Sequence, residues 1–221
     1  MIETVIKVGG SLGQSSTLPN LLQKLTEIGS RHKILVVPGG GAFANAIRDY
    51  DRRFGVTADA GHWMSILAMD QYGHLLSSML TNSVPVRGLA SAREAHLQGR
   101  IPVLLSYDLL QKTDALPRSW DVTSDSISAW LAELAGARRL VLLKSVDGLV
   151  HGRGGSKREV ELMKTVSWSP GSDYQGVLDD YFSTIFQKTT MDTWLVNGKY
   201  PERLEQLLDT GTTTGTRLLR Q

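Results

Sequence analysis

The first region suited to phosphate chemistry is the loop around Gly9 and Gly10. Lys7 stands two residues before this glycine pair, and Ser11 follows it. Glycines let the backbone approach a ligand closely with its N–H groups exposed, and a lysine adds positive charge for phosphate oxygens. A tight turn beside a solvated lysine would give the same pattern, so both interpretations stay open for this loop.

A second loop carries three consecutive glycines, Gly39, Gly40 and Gly41. Three glycines cost backbone entropy on folding, and a plain turn rarely needs them all. The start of the following predicted helix adds partial positive charge, so the loop favours an anion site over a structural turn.

The same loop matches a dinucleotide-binding fingerprint by its letters alone. Gly39, Gly41 and Ala44 fit the glycine pattern, and Asp59 lies twenty residues beyond the first of them. We reject this match because the loop follows the second predicted strand rather than the first. Residues 54–59 also lack the strand that should carry the acidic residue.

Two charged residues follow in the second half of the chain. Asp125 stands in the first turn of a helix that Thr123 or Ser124 can cap, and Lys144 ends a predicted strand. Asp125 alone could simply favour the helix N-terminus. Beside two phosphate-type loops, it is also suited to positioning lysines.

These residues need a scaffold, and the pattern of the chain predicts an α/β fold. Predicted strands span 2–8, 34–37, 84–86, 101–105, 140–143 and 193–196. Predicted helices span 17–29, 42–53, 61–80, 91–98, 124–136, 178–186 and 202–208. Such alternation indicates a central, mostly parallel sheet between two helical layers, with ligands at the carboxyl ends of the strands. Residues 151–158 are predicted to form a mobile loop, and 210–216 a turn-rich tail.

Composition excludes several classes of protein. The 221 residues contain no Cys, which rules out a disulfide scaffold and any cysteine nucleophile or ligand. The net charge of +2, without a basic stripe, argues against nucleic acid as a partner. No apolar run approaches the ~18 residues of a membrane span, and the N-terminus does not resemble a signal peptide. We expect a cytoplasmic protein.

The order of the motifs resembles the amino acid kinase family. It consists of Lys-x-Gly-Gly-Ser on the first strand, three glycines after the second, Thr-Ser-Asp-Ser opening a helix, then Val-Asp-Gly. The resemblance covers nearly the whole chain and implies an αβα sandwich that uses ATP with Mg²⁺. An acceptor-binding lobe would span about residues 1–115 and an ATP-binding lobe about 116–221. A homo-oligomer is also implied.

Roles for individual residues follow from this resemblance. Lys7 would stabilise the transferring phosphoryl group, Asp125 would orient the catalytic lysines, and no side chain is assigned to a metal ion. The acceptor would be bound by Gly9, Gly10, Ser11, Gly39, Gly40, Gly41, Asp59, His62 and Thr123. The nucleotide would contact Lys7, Lys144, Ser145, Val146, Asp147, Gly148 and Leu149.

One departure from the family pattern concerns a second catalytic lysine. Many members carry it in a Gly-rich stretch that corresponds to residues 174–180, where this chain has Asp179 and Asp180. Lys144 is the expected replacement, and Lys188 is a weaker candidate. A missing lysine also fits a regulatory or storage protein that binds a nucleotide or an oxyanion without catalysis.

Residues 59–73 and 196–203 resemble a small archaeal and methylotroph branch of the family. Its kinase converts 5-(aminomethyl)-3-furanmethanol phosphate to the diphosphate in methanofuran biosynthesis. Such an acceptor would need a cation for its phosphate, for which Arg52 or Arg53 is available. Its ammonium would need a carboxylate or an aromatic face, as offered by Asp59, Asp70 or Trp63. A carboxylate, UMP or isopentenyl phosphate remains an alternative acceptor, and an ordinary core helix remains the alternative for the apolar part of 62–69.

Overall fold

The computed structural model describes residues 1–151, 161–168 and 176–220. Its strands are β1 (Thr4–Val8), β2 (Ile34–Pro38), β3 (Ser83–Val86), β4 (Ile101–Leu104), β5 (Arg139–Lys144), β6 (Val150–His151), β7 (Glu161–Leu162), β8 (Thr165–Ser167), β9 (Asp192–Asn197) and β10 (Thr216–Leu219). Its α-helices are α1 (Leu18–Gly29), α2 (Gly41–Phe54), α3 (Ala58–Met79), α4 (Leu89–Leu97), α5 (Tyr107–Thr113), α6 (Ser124–Ala135), α7 (Phe182–Phe186) and α8 (Pro201–Thr210). A short 3-10 helix spans Gly10–Gln14.

Eight strands form one sheet in the order β3-β4-β2-β1-β5-β9-β10-β8. Strands β3, β4, β2, β1, β5 and β9 are parallel, whereas β10 runs antiparallel to β9. Strands β6 and β7 pair separately. This arrangement confirms the predicted α/β fold with a mostly parallel sheet.

Helices cover both faces of the sheet, which explains why β1 is buried along its whole length. On one face, Val5 belongs to a core that includes Ile127 of α6 and Phe182 of α7. On the other face, Ile6 belongs to a core with Leu25 of α1 and Leu204 of α8. Side chains alternate along a strand, so Lys7 projects to the same face as Val5, towards α6.

Several strands and helices depart from the sequence prediction. Helix α5 lies at residues 107–113, where no helix was predicted. Strand β10 follows directly on the predicted turn-rich tail, and the short strands β6, β7 and β8 were not predicted. Helix α7 begins at Phe182, four residues later than expected. Of the predicted mobile loop, residues 152–158 lie outside the described residues.

The two predicted lobes contribute to one continuous sheet. Strands β1 to β4 come from the first half of the chain and β5, β9, β10 and β8 from the second. The division into an acceptor lobe and an ATP lobe remains a prediction. Within the described ranges, no helix is long and apolar enough to cross a bilayer.

Candidate active site

The two glycine loops meet at the carboxyl edge of the sheet. Strand β1 lies between β2 and β5 and is parallel to both, so the three strands end at one edge. The N–H of Gly9 donates to the carbonyl of Leu143 at 2.9 Å, and the N–H of Gly39 donates to that of Val8 at 2.9 Å. A Cβ atom on Gly10 would lie 2.1 Å from the backbone nitrogen of Gly41. Only glycine at position 10 allows this close approach.

Lys7, Asp125 and Lys144 form a buried ionic cluster beside these loops. The Nζ of Lys7 lies 2.8 Å from Oδ1 of Asp125, and the Nζ of Lys144 lies 2.5 Å from Oδ2. The side chains of Lys7 and Asp125 are each 5% exposed. One carboxylate therefore holds two ammonium groups that come from neighbouring parallel strands.

Burial and neighbouring charges set the ionisation of this cluster. Burial opposes the charged form of Asp125, but Lys7 and Lys144 outweigh it and hold the pKa of the carboxyl below its usual value. Burial lowers the pKa of Lys144 to about 8, and the charge of Lys7 acts in the same direction against the attraction of Asp125. Lys144 therefore loses its proton at a much lower pH than an ordinary lysine.

Asp179 holds the beginning of α6, where Asp125 stands. Its Oδ2 accepts hydrogen bonds from the backbone N–H of Thr123 at 3.1 Å, from the Thr123 hydroxyl at 2.7 Å and from the backbone N–H of Ser126 at 3.0 Å. Its Oδ1 accepts a hydrogen bond from the Ser126 hydroxyl. Thr123 is the N-cap residue, as predicted, but its own side chain makes no capping hydrogen bond. A carboxylate distant in sequence provides the cap instead.

Lys144, the expected replacement for the second lysine, shares Asp125 with Lys7, and its catalytic role remains a prediction. Besides Asp125, its Nζ donates to the carbonyl oxygen of Val177 at 2.7 Å. Lys188, the weaker candidate, is exposed after α7 and does not line the cavity described next. Of the region that suggested a missing lysine, residues 174 and 175 lie outside the described residues.

A cavity of about 320 Å³ opens beside the cluster and the glycine loops. The predicted site residues that line it are Lys7, Gly9, Gly10, Ser11, Gly40, Gly41, His62, Thr123, Asp125 and Lys144. Burial lowers the pKa of His62 below its usual value, so its ring is neutral at pH 7. The Lys7–Asp125–Lys144 cluster and the neutral imidazole of His62 on α3 therefore line the same cavity.

The sequence interpretation missed several cavity residues, among them two polar side chains and a tryptophan that could contact an acceptor. Arg48 and Asn45 lie on the cavity side of α2, and Trp120 lies in the loop before α6. Arg48 follows Gly41 by seven residues, so helical periodicity could have identified it. Arg52, which we considered for a phosphate, instead binds Asp49 at an exposed position.

Trp120 lies against α3 because position 61 is a glycine. A Cβ atom there would be 2.3 Å from the indole ring. The ring also packs against the small cluster formed by Ala44, Ile47 and Ala68. No periodic pattern marks a loop tryptophan, so this contact could not be predicted from the sequence.

Other predicted acceptor residues lie outside the cavity lining. Gly39 packs against Gly10, and Asp59 forms an exposed ion pair with Arg118. Asp70 accepts a hydrogen bond from the backbone N–H of Ser106 at 2.6 Å, at the beginning of α5. Trp63 lies beneath the guanidinium of Arg118, 5.2 Å from its ring centroid. Each of the three side chains considered for an acceptor ammonium therefore already has a protein partner.

The predicted nucleotide loop after Lys144 forms hydrogen bonds with a residue of the first glycine loop and with residues near β9 and β10. The Ser11 hydroxyl donates to that of Ser145 at 3.2 Å, and Asp147 accepts from Asn197 at 3.1 Å and also binds Arg203. The N–H of Leu149 donates to the Thr216 hydroxyl at 2.8 Å. Val146 is exposed, and a Cβ at Gly148 would lie 2.4 Å from the Thr216 hydroxyl. Nucleotide contacts of residues 144–149 remain a prediction.

The cavity has residues suited to the phosphates of ATP. The paired lysines and the glycine N–H groups match the charge and geometry of a polyphosphate. Across residues 1–151, 161–168 and 176–220, no three His, Cys, Asp or Glu side chains cluster closely enough to hold a metal ion.

Comparison with known proteins identifies the family and the chemistry. The model of the amino acid kinase family matches residues 3–178. The (5-(aminomethyl)furan-3-yl)methyl phosphate kinase of Methanocaldococcus jannaschii is 28% identical over 93% of this chain and 92% of its own length. The uridylate kinase of Methanothrix thermoacetophila is 26% identical over 97% of this chain and 98% of its own length.

Solved structures agree on the fold. The uridylate kinase of Archaeoglobus fulgidus superposes with a TM-score of 0.75 at 20% identity and covers 98% of this chain and 100% of its own. The UMP kinase of Bacillus anthracis gives a TM-score of 0.76 at 15% identity and covers 98% of this chain and 95% of its own.

The prediction of an enzyme is confirmed over the alternative of a binding protein without catalysis. The chain belongs to the amino acid kinase family, and it is a kinase.

Proposed function

We propose that this kinase transfers the γ-phosphoryl group of ATP to the phosphate of a small ring-bearing acceptor. The expected acceptor is 5-(aminomethyl)-3-furanmethanol phosphate, and the product is its diphosphate, an intermediate of methanofuran biosynthesis. The observation that carries this proposal is one cavity lined by Lys7, Lys144, Arg48 and Trp120. It combines positive charge for two phosphate groups with an aromatic wall.

The chemistry requires alignment and charge neutralisation. An oxygen of the acceptor phosphate forms a bond to the γ-phosphorus while the bond from that phosphorus to the bridging oxygen of ADP breaks. ADP keeps the electron pair. Charge spreads over the equatorial oxygens in a loose transition state. Lys7, Lys144 and the N–H groups of the cavity-lining Gly10, Gly40 and Gly41 would stabilise it, whereas the N–H groups of Gly9 and Gly39 are bound by backbone carbonyls.

The cavity suits an acceptor that is already ionised. Asp125 is the single carboxylate among the described residues that line it, and both of its oxygens are bound by lysines. It is therefore committed to positioning and is a poor general base. A phosphate oxygen needs no deprotonation before attack, whereas an alcohol would need a base within hydrogen-bond reach. In the described lining, the neutral imidazole of His62 on α3 is a further candidate for that base.

The remaining cavity residues suit a phosphorylated ring. Arg48, whose Nη1 donates to Oδ1 of Asn45 at 2.9 Å, supplies a guanidinium for a phosphate group. Trp120, Ile66 and Met69 supply an apolar wall. A volume of about 320 Å³ is near the lower end for small-molecule sites, which favours a small acceptor.

Mg²⁺ is expected to enter with the nucleotide. In kinase sites this ion is bound largely by substrate phosphates and water, with one or two carboxylates. When bound, it would neutralise charge on the β- and γ-phosphates.

The relatives support an acceptor that already carries a phosphate. A furanmethyl phosphate kinase and several uridylate kinases resemble the chain at similar coverage, and the named acceptor of each carries a phosphate. UMP is therefore the second candidate. The likeness to the furanmethyl phosphate kinase extends over nearly the whole of both chains.

An acceptor-dependent ADP-release assay with MgATP tests the proposal. The panel is 5-(aminomethyl)-3-furanmethanol phosphate, UMP, isopentenyl phosphate, acetylglutamate and aspartate. We expect turnover with the furan phosphate, and Lys7→Ala should lower kcat by about 100- to 1,000-fold with the fold intact. Turnover with another acceptor alone would refute the furan assignment, and unchanged turnover in Lys7→Ala would refute the role of that lysine.

A further inference from the structure

Asp179 connects the C-terminal half of the chain to the catalytic cluster. Both of its carboxylate oxygens are used by the first turn of α6, through hydrogen bonds from Thr123 and Ser126. Asp125 lies between those two residues in sequence. The cap therefore fixes the backbone from which the side chain of Asp125 reaches the two lysines.

The same short segment also holds Lys144. The ammonium of Lys144 donates a hydrogen bond to the carbonyl oxygen of Val177 at 2.7 Å, two residues before Asp179. Between them, Leu178 is 5% exposed and packs in the core that includes Ile127 of α6. Segment 177–179 thus holds Lys144 through Val177 and the first turn of α6 through Asp179.

Three charged groups surround the ammonium of Lys144. Asp125 lies on α6, Lys7 on β1, and Asp179 in the segment before α7. The negative charge of Asp179 raises the pKa of Lys144. Many family members are expected to place a lysine in this stretch, where this chain places acids. Here the stretch supports a lysine from β5 instead of supplying one.

We propose that Asp179 is a positioning residue for phosphoryl transfer, which holds the first turn of α6 so that Asp125 aligns Lys7 with Lys144. This inference rests on the proposed function. Its role differs from a general contribution to stability, since Ile127 and Leu131 anchor the body of α6 in the core. Helix α6 should persist without the cap while its first turn loses alignment.

Three variants test this role: Asp179→Asn, Asp179→Ala and the control Asp180→Asn, which alters the exposed neighbouring carboxylate. We expect Asp179→Asn to fold and to lower kcat by about 10- to 100-fold, with much smaller changes in both KM values. Asp179→Ala should be at least as impaired, and Asp180→Asn should match the wild type. Equal kcat in Asp179→Asn and Asp180→Asn would overturn the inference.

The pH profile separates positioning from lost stability. Without the carboxylate of Asp179, the pKa of Lys144 should fall, so the alkaline limb of kcat should move to lower pH in Asp179→Asn. A purely structural defect would lower kcat by the same factor at every pH, and that outcome would contradict the inference.

A measurement independent of turnover separates this inference from the proposed function. The Lys144 ammonium can be titrated by ¹⁵N NMR in the wild type, Asp179→Asn and Asp180→Asn. A lower pKa in Asp179→Asn alone supports the inference, and identical values in all three proteins overturn it. Absence of wild-type turnover with the whole acceptor panel would instead overturn the proposed function.

Discussion

Lys144 is a residue of the site whose ionisation departs far from that of an ordinary lysine. It shares one buried carboxylate with Lys7, and burial lowers its pKa to about 8. Its charge is therefore sensitive to pH in the range where the enzyme would be assayed. Since the lysine must be protonated to stabilise phosphate oxygens, its ionisation should control catalysis.

We predict that kcat falls as pH rises through about 8, because the folded-state pKa of Lys144 lies below its usual value and the neutral amine predominates above it. Steady-state kinetics from pH 6 to about 10 would measure this. In Lys144→Arg, the guanidinium stays charged, so we expect a lower kcat with no alkaline limb. A flat wild-type profile up to about pH 10 would contradict the prediction.

A second prediction concerns Arg48, which lines the cavity. Arg48→Ala should raise the KM for the phosphorylated acceptor by about 10- to 100-fold, the effect of losing one charged hydrogen-bond partner. The KM for ATP should change little. Arg52→Ala is the matched control, because this arginine on the same helix is 73% exposed and bound to Asp49. Similar KM values in the two variants would argue against a phosphate contact at Arg48.

Sequence reasoning found the charged residues of the cluster but not their full surroundings. Lys7, Asp125 and Lys144 were identifiable because each stands at a strand end or a helix start. Asp179 was recognised as a departure from the family pattern, yet its role depends on a contact 56 residues away in sequence. No local pattern encodes such a contact.

At the scale of elements, the site depends on two loops whose backbones touch. Gly10 begins the 3-10 helix after β1, and Gly41, with a φ of +55°, begins α2. Gly10 and Gly41 both line the cavity, so the two loops meet at its wall. Any side chain at position 10 would separate the loops.

We expect Gly10→Ala to lower the melting temperature and to abolish measurable turnover. The added Cβ would collide with backbone atoms of Gly41 at 2.1 Å, which cannot rotate away as a side chain could. The control is Gly88→Ala, since a Cβ there meets nothing within 4 Å and its backbone is extended. Thermal unfolding and ADP release measure both effects, and wild-type values in Gly10→Ala would disprove the contact's importance.

Elements with strong periodicity were predictable, and those fixed by tertiary contacts were not. The apolar stripe of α1 and the β-branched run of β2 follow directly from sequence. Helix α5 is short and polar, and Asp70 of α3 binds its first N–H groups. Strand β10 has four residues and depends on pairing with β9 and β8.

At the scale of the whole molecule, both halves of the chain build one cavity. Lys7, Arg48 and His62 come from the first half, and Thr123, Asp125 and Lys144 come from the second. The continuous sheet holds them at one edge, so neither half alone contains the ionic cluster. The expected homo-oligomer stays a prediction, which sedimentation equilibrium would measure.

The proposed reaction transfers a phosphoryl group from ATP to the phosphate of an acceptor bound in this cavity. The most direct measurement is ³¹P NMR of the wild-type enzyme with MgATP and 5-(aminomethyl)-3-furanmethanol phosphate. We predict that a diphosphate of the acceptor appears together with an equal amount of ADP. If the protein binds this acceptor but ATP stays intact and no acceptor diphosphate forms, the proposed reaction is contradicted.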